Sequence, residues 1–200
     1  MPKKTKTDRK AQILEGMLEA LATRGYQRSS IQQIARHADI TPGLIHYHFS
    51  SKQALLIGAL ELLEARLRER LATASAPAHG ELAMTRAWID AHTSMDNGQD
   101  LRALRAWVAI SAEAVWEEEV QHVFQAALAR DTAALDDALS QDAPELTEDA
   151  RARICATLVS AVQGAYVLGT SAPEIIPTGS MSAQLSEVAR ALVTSHLHTP

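Results

Sequence analysis

The chain's 200 residues are 46% hydrophobic and 22% charged, with nine glycines, seven prolines and one cysteine, Cys155. That composition fits one large or two small globular domains and excludes collagen-like, low-complexity and disulfide-framework proteins. The net charge of −5 is unevenly spread: residues 1–58 hold nine of the 19 Lys/Arg and four of the 24 Asp/Glu, a net of +5, against −10 for residues 59–200. A basic first third on an acidic body points that third toward a polyanion.

Abundant Ala and Leu, with no long period-2 stretch, predict an all-α chain. The opening Met1–Lys10 carries Lys3, Lys4, Lys6, Arg9 and Lys10. No apolar run follows it, so it does not read as a signal peptide; a flexible basic arm and a solvated disordered tail are the two readings. No segment approaches the roughly 20 consecutive apolar residues of a membrane span. A cytoplasmic protein without membrane contact is expected.

A first helix is expected from about Asp8 to Arg24, where Ile13, Met17, Ala20 and Leu21 make one apolar stripe. Gly25 stands where a left-handed residue ends a helix. A short second helix starts near Ser30, because Ser30 and Gln33 have capping-box spacing. Ile31, Ile34, Ala35 and Ala38 form its apolar face, and Asp39-Ile40 is a tight connection. Thr41-Pro42 opens a third helix, with Thr41 as cap and proline at the first position, ending near Phe49. Ser50 and Gln53 repeat the capping-box spacing before a long fourth helix at about 51–73. Helices near 79–95, 100–114 and 116–140 follow. Asn97-Gly98 and Asp142-Ala143-Pro144 mark breaks. Two more helices are expected near 147–169 and 181–197, making about nine.

Two short capped helices joined by a tight turn, behind a supporting helix, make a helix-turn-helix whose second helix fits the major groove. Residues 10–60 resemble the TetR family of regulators. The matching residues are Gly25-Tyr26, Ser30-Ile31-Gln32-Gln33-Ile34-Ala35, Ala38-Asp39-Ile40-Thr41-Pro42-Gly43-Leu44-Ile45-His46-Tyr47-His48-Phe49, Ser51-Lys52 and Leu55. The family usually carries Gly at Asp39, and often Thr or Ile at Leu44. It usually carries Leu, Tyr or Phe, with Tyr before His-Phe, where this chain has Ile45-His46-Tyr47. The resemblance implies a helix-turn-helix domain over 1–50 and a ligand-binding and dimerisation domain over 51–200, with the fourth helix linking them.

It further implies roles for named residues. Ile45, Phe49 and Leu55 face the core. Thr41, Tyr47, His48 and Lys52, with Arg28 and Ser29, meet phosphates. Pro42, Gly43 and Leu44 lie nearest the groove floor and carry no side-chain hydrogen-bonding group. Gln32, Gln33 and His46 are then the remaining donors and acceptors for bases. Sequence choice is expected to rest partly on thymine methyl contacts and partly on DNA shape. His46 and His48 point about 200° apart on a helix, so no shared metal ion is expected.

The body resembles the branch of the family that includes the choline-responsive BetI repressors. The matching residues are Ala106-Trp107, Ala112-Glu113-Ala114 and Val162-Gln163-Gly164. Trp88, His92, Trp107, Glu113, Trp116, Gln163 and Tyr166 are the expected lining of an effector pocket. An aromatic cage with a carboxylate suits a quaternary ammonium, and the same groups suit many other amphipathic ligands. Apolar stripes containing Ile154, Leu158 and Val162, then Leu185, Val188 and Leu192, are the expected homodimer interface. No catalytic acid–base pair, phosphate loop, nucleophile motif or cofactor site is legible, so an enzyme is not expected. The expected partners are an operator in double-stranded DNA, a small-molecule effector and a second copy. The rival reading keeps the fold but assigns it a structural or protein-partner role without an effector.

Overall fold

The computed structural model describes residues 6–94, 98–177 and 179–197. Among the described residues it has nine helices and no strand. They are α1 (Lys6–Arg24), α2 (Ile31–His37), α3 (Pro42–His48), α4 (Lys52–Ser75), α5 (Ala83–Thr93), α6 (Gly98–Glu113), α7 (Glu118–Asp142), α8 (Glu148–Ser171) and α9 (Ser182–Leu197). The contacts group them into two compact units, residues 1–65 with 98–125, and 66–97 with 126–200. That grouping differs from a cut at residue 50. The start of α4 belongs to the first unit because it buries Leu55, Leu56, Ala59 and Leu60, and Gly58 lies against Leu14 and Phe49.

In the first unit α1 packs against α2 and α6, and α2 packs on α3. Ile13, Met17 and Leu18 of α1, Ile34 of α2, Ile45 of α3 and Ile110 of α6 are fully buried. The α1–α2 seam is closed by Gly16, where a Cβ would come within 2.7 Å of Ala38 Cβ. Gln12 Nε2 donates to the Ala38 carbonyl across the same seam at 2.5 Å. Arg102 of α6 reaches Glu15 at 2.8 Å and Glu19 at 3.5 Å, one turn apart on α1. These pairs are partly exposed, so each adds little to stability.

The local signals are kept in part. Gly25 adopts φ +72 after α1, and Ser30 forms the expected reciprocal capping box with Gln33. Asp39 adopts φ +51. The turn therefore needs a left-handed residue, a conformation Asp tolerates better than most non-glycine residues. Thr41 makes no side-chain cap bond. The cap of α4 is Ser51, whose Oγ accepts from the Ala54 amide at 2.9 Å, and not Ser50. The expected basic arm is also corrected. Lys6, Arg9 and Lys10 are helical in α1, with Asp8 favourably placed in its first turn, whereas Lys3 and Lys4 lie outside the described residues.

In the second unit α5, α8 and α9 pack together around Trp88, Ile89, Leu158, Val162, Leu185 and Ala189. Helix α5 has an unusual start: Leu82 adopts φ +49 and offers no side-chain cap. The cap comes from the far end of α7, where the Asp142 carboxylate accepts from the Met84 amide at 3.2 Å and the Thr85 amide at 2.7 Å. A carboxylate there also faces the positive end of the helix dipole. Thr147 caps α8 by accepting from the Ala150 amide.

One expectation about α8 and α9 changes, the interface. Helix α8 is long and apolar enough, by length and composition alone, to cross a membrane. Here it is a bundle helix packed on α9 and α5. Ile154, Leu158, Val162 and Leu185 are buried inside the single chain, so they form its core and not an interface. Val188 is 41% exposed and Leu192 is half-buried. The apolar stripes are two-sided, and the outward side also carries Val167 and Leu168, each 46% exposed.

Candidate nucleic-acid interface

Helix α3 is held by Ile45 and Phe49, four residues apart and both buried. Its opposite face is open. Thr41, Pro42, Gly43, His46 and Tyr47 are exposed, with Tyr47 at 70%, while Leu44 and His48 are half-buried. A Cβ on Gly43 would meet nothing within 4 Å. The Thr41 hydroxyl is not spent on capping. Tyr47 and His48 lie edge to face with ring centroids 5.1 Å apart, and Lys6 stands 5.7 Å over the Tyr47 ring. A cationic side chain from α1 thus borders α3, as does Lys10, 5.6 Å from the Phe49 ring.

The segment between α1 and α2 supplies Arg28, which is exposed and has no side-chain partner among the described residues. Gln32 is exposed on α2. Gln33 is partly committed, since its Oε1 accepts the Ser30 amide at 2.8 Å. Two residues expected to meet phosphates are used inside the protein. Ser29 is 2% exposed and its hydroxyl donates to the carbonyls of Gly25 and Ala20, which leaves nothing for DNA. Lys52 donates to the Tyr26 carbonyl at 2.6 Å and sits 4.0 Å over the Tyr26 ring. Burial lowers the Lys52 ammonium from its ordinary value, with Glu113 acting against that shift. Burial, then the Glu113 and Glu117 carboxylates, raise the Tyr26 phenol.

Glu113 completes this cluster. It is 7% exposed at the end of α6, and its Oε1 accepts from Gln27 Nε2 at 2.6 Å. The Tyr26–Ser29 segment is therefore gripped by the first turn of α4 and the last residue of α6. No spacing in the sequence announces a Gln27–Glu113 pair 86 residues apart.

The expected pocket residues divide between the units. Trp107 and Glu113 belong to the first, where Trp107 is buried with its ring 5.1 Å from Phe124. Trp116 is 83% exposed on the turn after α6, so it lines no interior cavity. Trp88, His92, Gln163 and Tyr166 belong to the second unit. There Trp88 and His92 stack at 3.9 Å and both bond Asp131. Trp88 Nε1 donates to Oδ1 at 3.1 Å, and His92 Nε2 lies 3.0 Å from Oδ2. His92 Nδ1 bonds the Trp88 carbonyl at 2.7 Å. Burial and the Asp131 charge push the Tyr166 phenol up, with Arg70 opposing. Asp131 was missed by sequence reasoning. The signal was present, because Phe124, Ala127, Asp131, Leu135 and Ala138 form one stripe and a carboxylate stands in it. Among the described residues no cluster of three or more His, Cys, Asp or Glu has a metal-holding arrangement.

Comparison with known proteins bears on this site. Residues 13–59 match the family model of the bacterial regulatory proteins, tetR family. The chain is 28% identical over 115 residues to the HTH-type transcriptional regulator BetI of Rhizobium meliloti (strain 1021), covering 58% of this chain and 56% of that protein. The match thus spans about half the length of that relative. Among solved structures, a transcriptional regulator from Saccharomonospora viridis in complex with choline has a TM-score of 0.79 at 16% identity, covering 92% of this chain and 97% of that one. The regulator FadR from Bacillus subtilis, in complex with stearoyl-CoA, has a TM-score of 0.75 at 17% identity, covering 90% and 96%. The helix-turn-helix segment of this chain is thus similar to the tetR family of bacterial regulatory proteins, and its all-α fold is that of the solved regulators.

Proposed function

We propose that the chain is a transcriptional regulator that binds, as a homodimer, a pseudo-palindromic operator and is a repressor released by a small molecule. The observation that carries this reading is the open face of α3. A seven-residue helix is anchored by Ile45 and Phe49 and turns outward a surface with no internal task. The residues nearest a groove floor, Pro42, Gly43 and Leu44, offer close approach and apolar contact. Thr41, Tyr47, His48 and Arg28, with Lys6 and Lys10, border them with donors for phosphates. His46 and Gln32 are the side chains left for base edges, with Gln33 keeping its amide nitrogen. Lys52 and Ser29 act by shaping the Tyr26–Ser29 segment, not by touching DNA.

One helix-turn-helix reads too few bases to select a site, which is why a two-fold dimer is part of the reading. The outward apolar side of α8 and α9, with Val167, Leu168, Val188 and half-buried Leu192, is the surface a second copy would cover. Leu168→Glu is expected to shift sedimentation from dimer to folded monomer. A dimer unaffected by that change and by Val188→Glu places the interface elsewhere. An effector would act by favouring a state in which the two α3 helices no longer match successive major grooves, limited by its differential affinity for the two states. Ligands as unlike as choline and stearoyl-CoA occupy relatives of this fold. For this chain the candidates to contact an effector are Trp88, His92, Gln163 and Tyr166 in the second unit and Trp107 in the first.

The test is selection of duplex DNA from a random pool, followed by titration of the selected site against salt. The expected result is a two-fold symmetric site. If a dimer neutralises roughly eight phosphates, log affinity falls with log salt at a slope of about −7. No enriched site, or affinity insensitive to salt, contradicts the proposal.

A further inference from the structure

Helices α5 and α9 of the second unit run antiparallel. Ser182, at the start of α9, hydrogen-bonds the Asp90 carboxylate near the end of α5, while Arg190 two turns later pairs with Glu81 just before α5 at 3.1 Å. Between the helices lies a groove of about 400 Å³, lined by Arg86, Asp90, Ser182, Ser186, Glu187 and Arg190 among others. That size is within the range of small-molecule sites, roughly 300–1,000 Å³. Its lining carries charge of both signs. Asp90 stands at one end, and Arg86 and Arg190 toward the other. Glu187 stands between Ser186 and Arg190 on the facing wall.

Two of these charges are idle. The Arg86 guanidinium and the Glu187 carboxylate have no hydrogen-bond or ion-pair partner among the described residues. Asp90 spends one carboxylate oxygen on Ser182 and is in no ion pair there. Arg86 and Asp90 are four residues apart on α5, a separation at which opposite charges commonly pair, roughly 5–6 Å between Cβ atoms. Here they stay apart, with the groove beside them. An open groove with exposed charges of both signs within a helical turn matches a ligand carrying both.

We propose that this groove binds a small zwitterion of the α-amino acid class. The ligand carboxylate lies between Arg86 and Arg190, where a guanidinium supplies paired donors. Its ammonium faces Asp90 and Glu187. A ligand with one charge alone leaves the opposite end of the groove unpaired, so the site discriminates by requiring both.

The experiment is titration calorimetry of the full chain with alanine, with propionate and with ethylammonium, repeated on Arg86→Gln and Glu187→Gln. Both side chains are exposed, so the variants retain the fold. The expected result is alanine binding at least about tenfold tighter than either singly charged analogue, a difference of about 1.4 kcal/mol. Each substitution is expected to weaken alanine by a similar factor. No alanine heat at millimolar concentration, equal binding of the analogues, or unchanged affinity in Arg86→Gln overturns the proposal. The groove lies in the unit without α1–α3. Its failure therefore leaves DNA binding standing, and a chain that selects no DNA site can still bind alanine.

Discussion

Replacing Gly16 by alanine probes the tightest approach in the unit that carries α3. The added Cβ would lie 2.7 Å from Ala38 Cβ, 2.8 Å from the Ile34 oxygen and 2.9 Å from the Ala38 nitrogen. Favourable carbon contacts lie at about 3.5–4.0 Å, so the end of α2 must retreat by roughly 1 Å. Two of the three atoms are backbone, and no rotamer change moves them. The retreat also stretches the bond from Gln12 to the Ala38 carbonyl. Overpacking of this kind costs about 1–3 kcal/mol, whereas exchanging glycine for alanine inside a helix returns about 1 kcal/mol. With two of the three atoms fixed in backbone the steric cost wins, for a net loss of up to about 2 kcal/mol. Urea unfolding should show a lower midpoint at an unchanged slope. DNA affinity should fall with it, since α2 carries the turn into α3. A Gly16→Ala protein that is more stable by the helix-propensity gain refutes the reasoning, because the α1–α2 seam must then be looser than described.

Lys52→Ala should lower stability by about 1–2 kcal/mol through loss of the Tyr26 carbonyl bond and ring contact, with the salt slope of DNA binding unchanged. A slope smaller in magnitude by about 1 at constant unfolding midpoint would instead make Lys52 a phosphate contact. Asp131→Ala should cost about 2–4 kcal/mol, because it strands the buried Trp88 and His92 nitrogens. Thermal unfolding indistinguishable from the parent chain would show that this triad contributes nothing. Burial raises the Cys155 thiol from 9.0 to about 11, Asp136 adding to the shift and Arg151 opposing it. Its contribution to stability is thus full below pH 9 and is lost as pH rises through about 11. Alkylation of Cys155 near pH 8 should be slow in the folded protein and fast in urea, and equal rates would mean the thiol is open.

Much of the unit that carries α1, α2 and α3 was legible because its signals are local. A capping box, a glycine after a helix and a proline at a first helical position each depend on residues within four places. They located α1, α2 and α3 to within a few residues. Asp39 shows a finer case, since only its positive φ reveals the left-handed backbone that the turn requires. What escaped was non-local. Lys52 has the chemistry of a phosphate contact, and only the fold shows Tyr26 beneath it. Ser29 reads as a surface hydroxyl until the Ala20 and Gly25 carbonyls are found around it. Asp142 caps a helix that begins almost 60 residues earlier in the chain. On α8 an apolar stripe could not distinguish the side that fills its own bundle from the side left outward. Leu158 and Leu168 differ in that placement and not in their residue type.

The central claim is that α3 approaches the groove floor through Gly43. Its most direct test is Gly43→Leu, measured for both folding stability and affinity for the selected operator. A side chain there meets open space in the free protein, and leucine is a better helix former than glycine. Stability should therefore hold or rise. Operator affinity should fall by at least about tenfold, or 1.4 kcal/mol, because the new side chain occupies the gap between backbone and bases. Unchanged operator affinity in a stably folded Gly43→Leu protein would contradict the account.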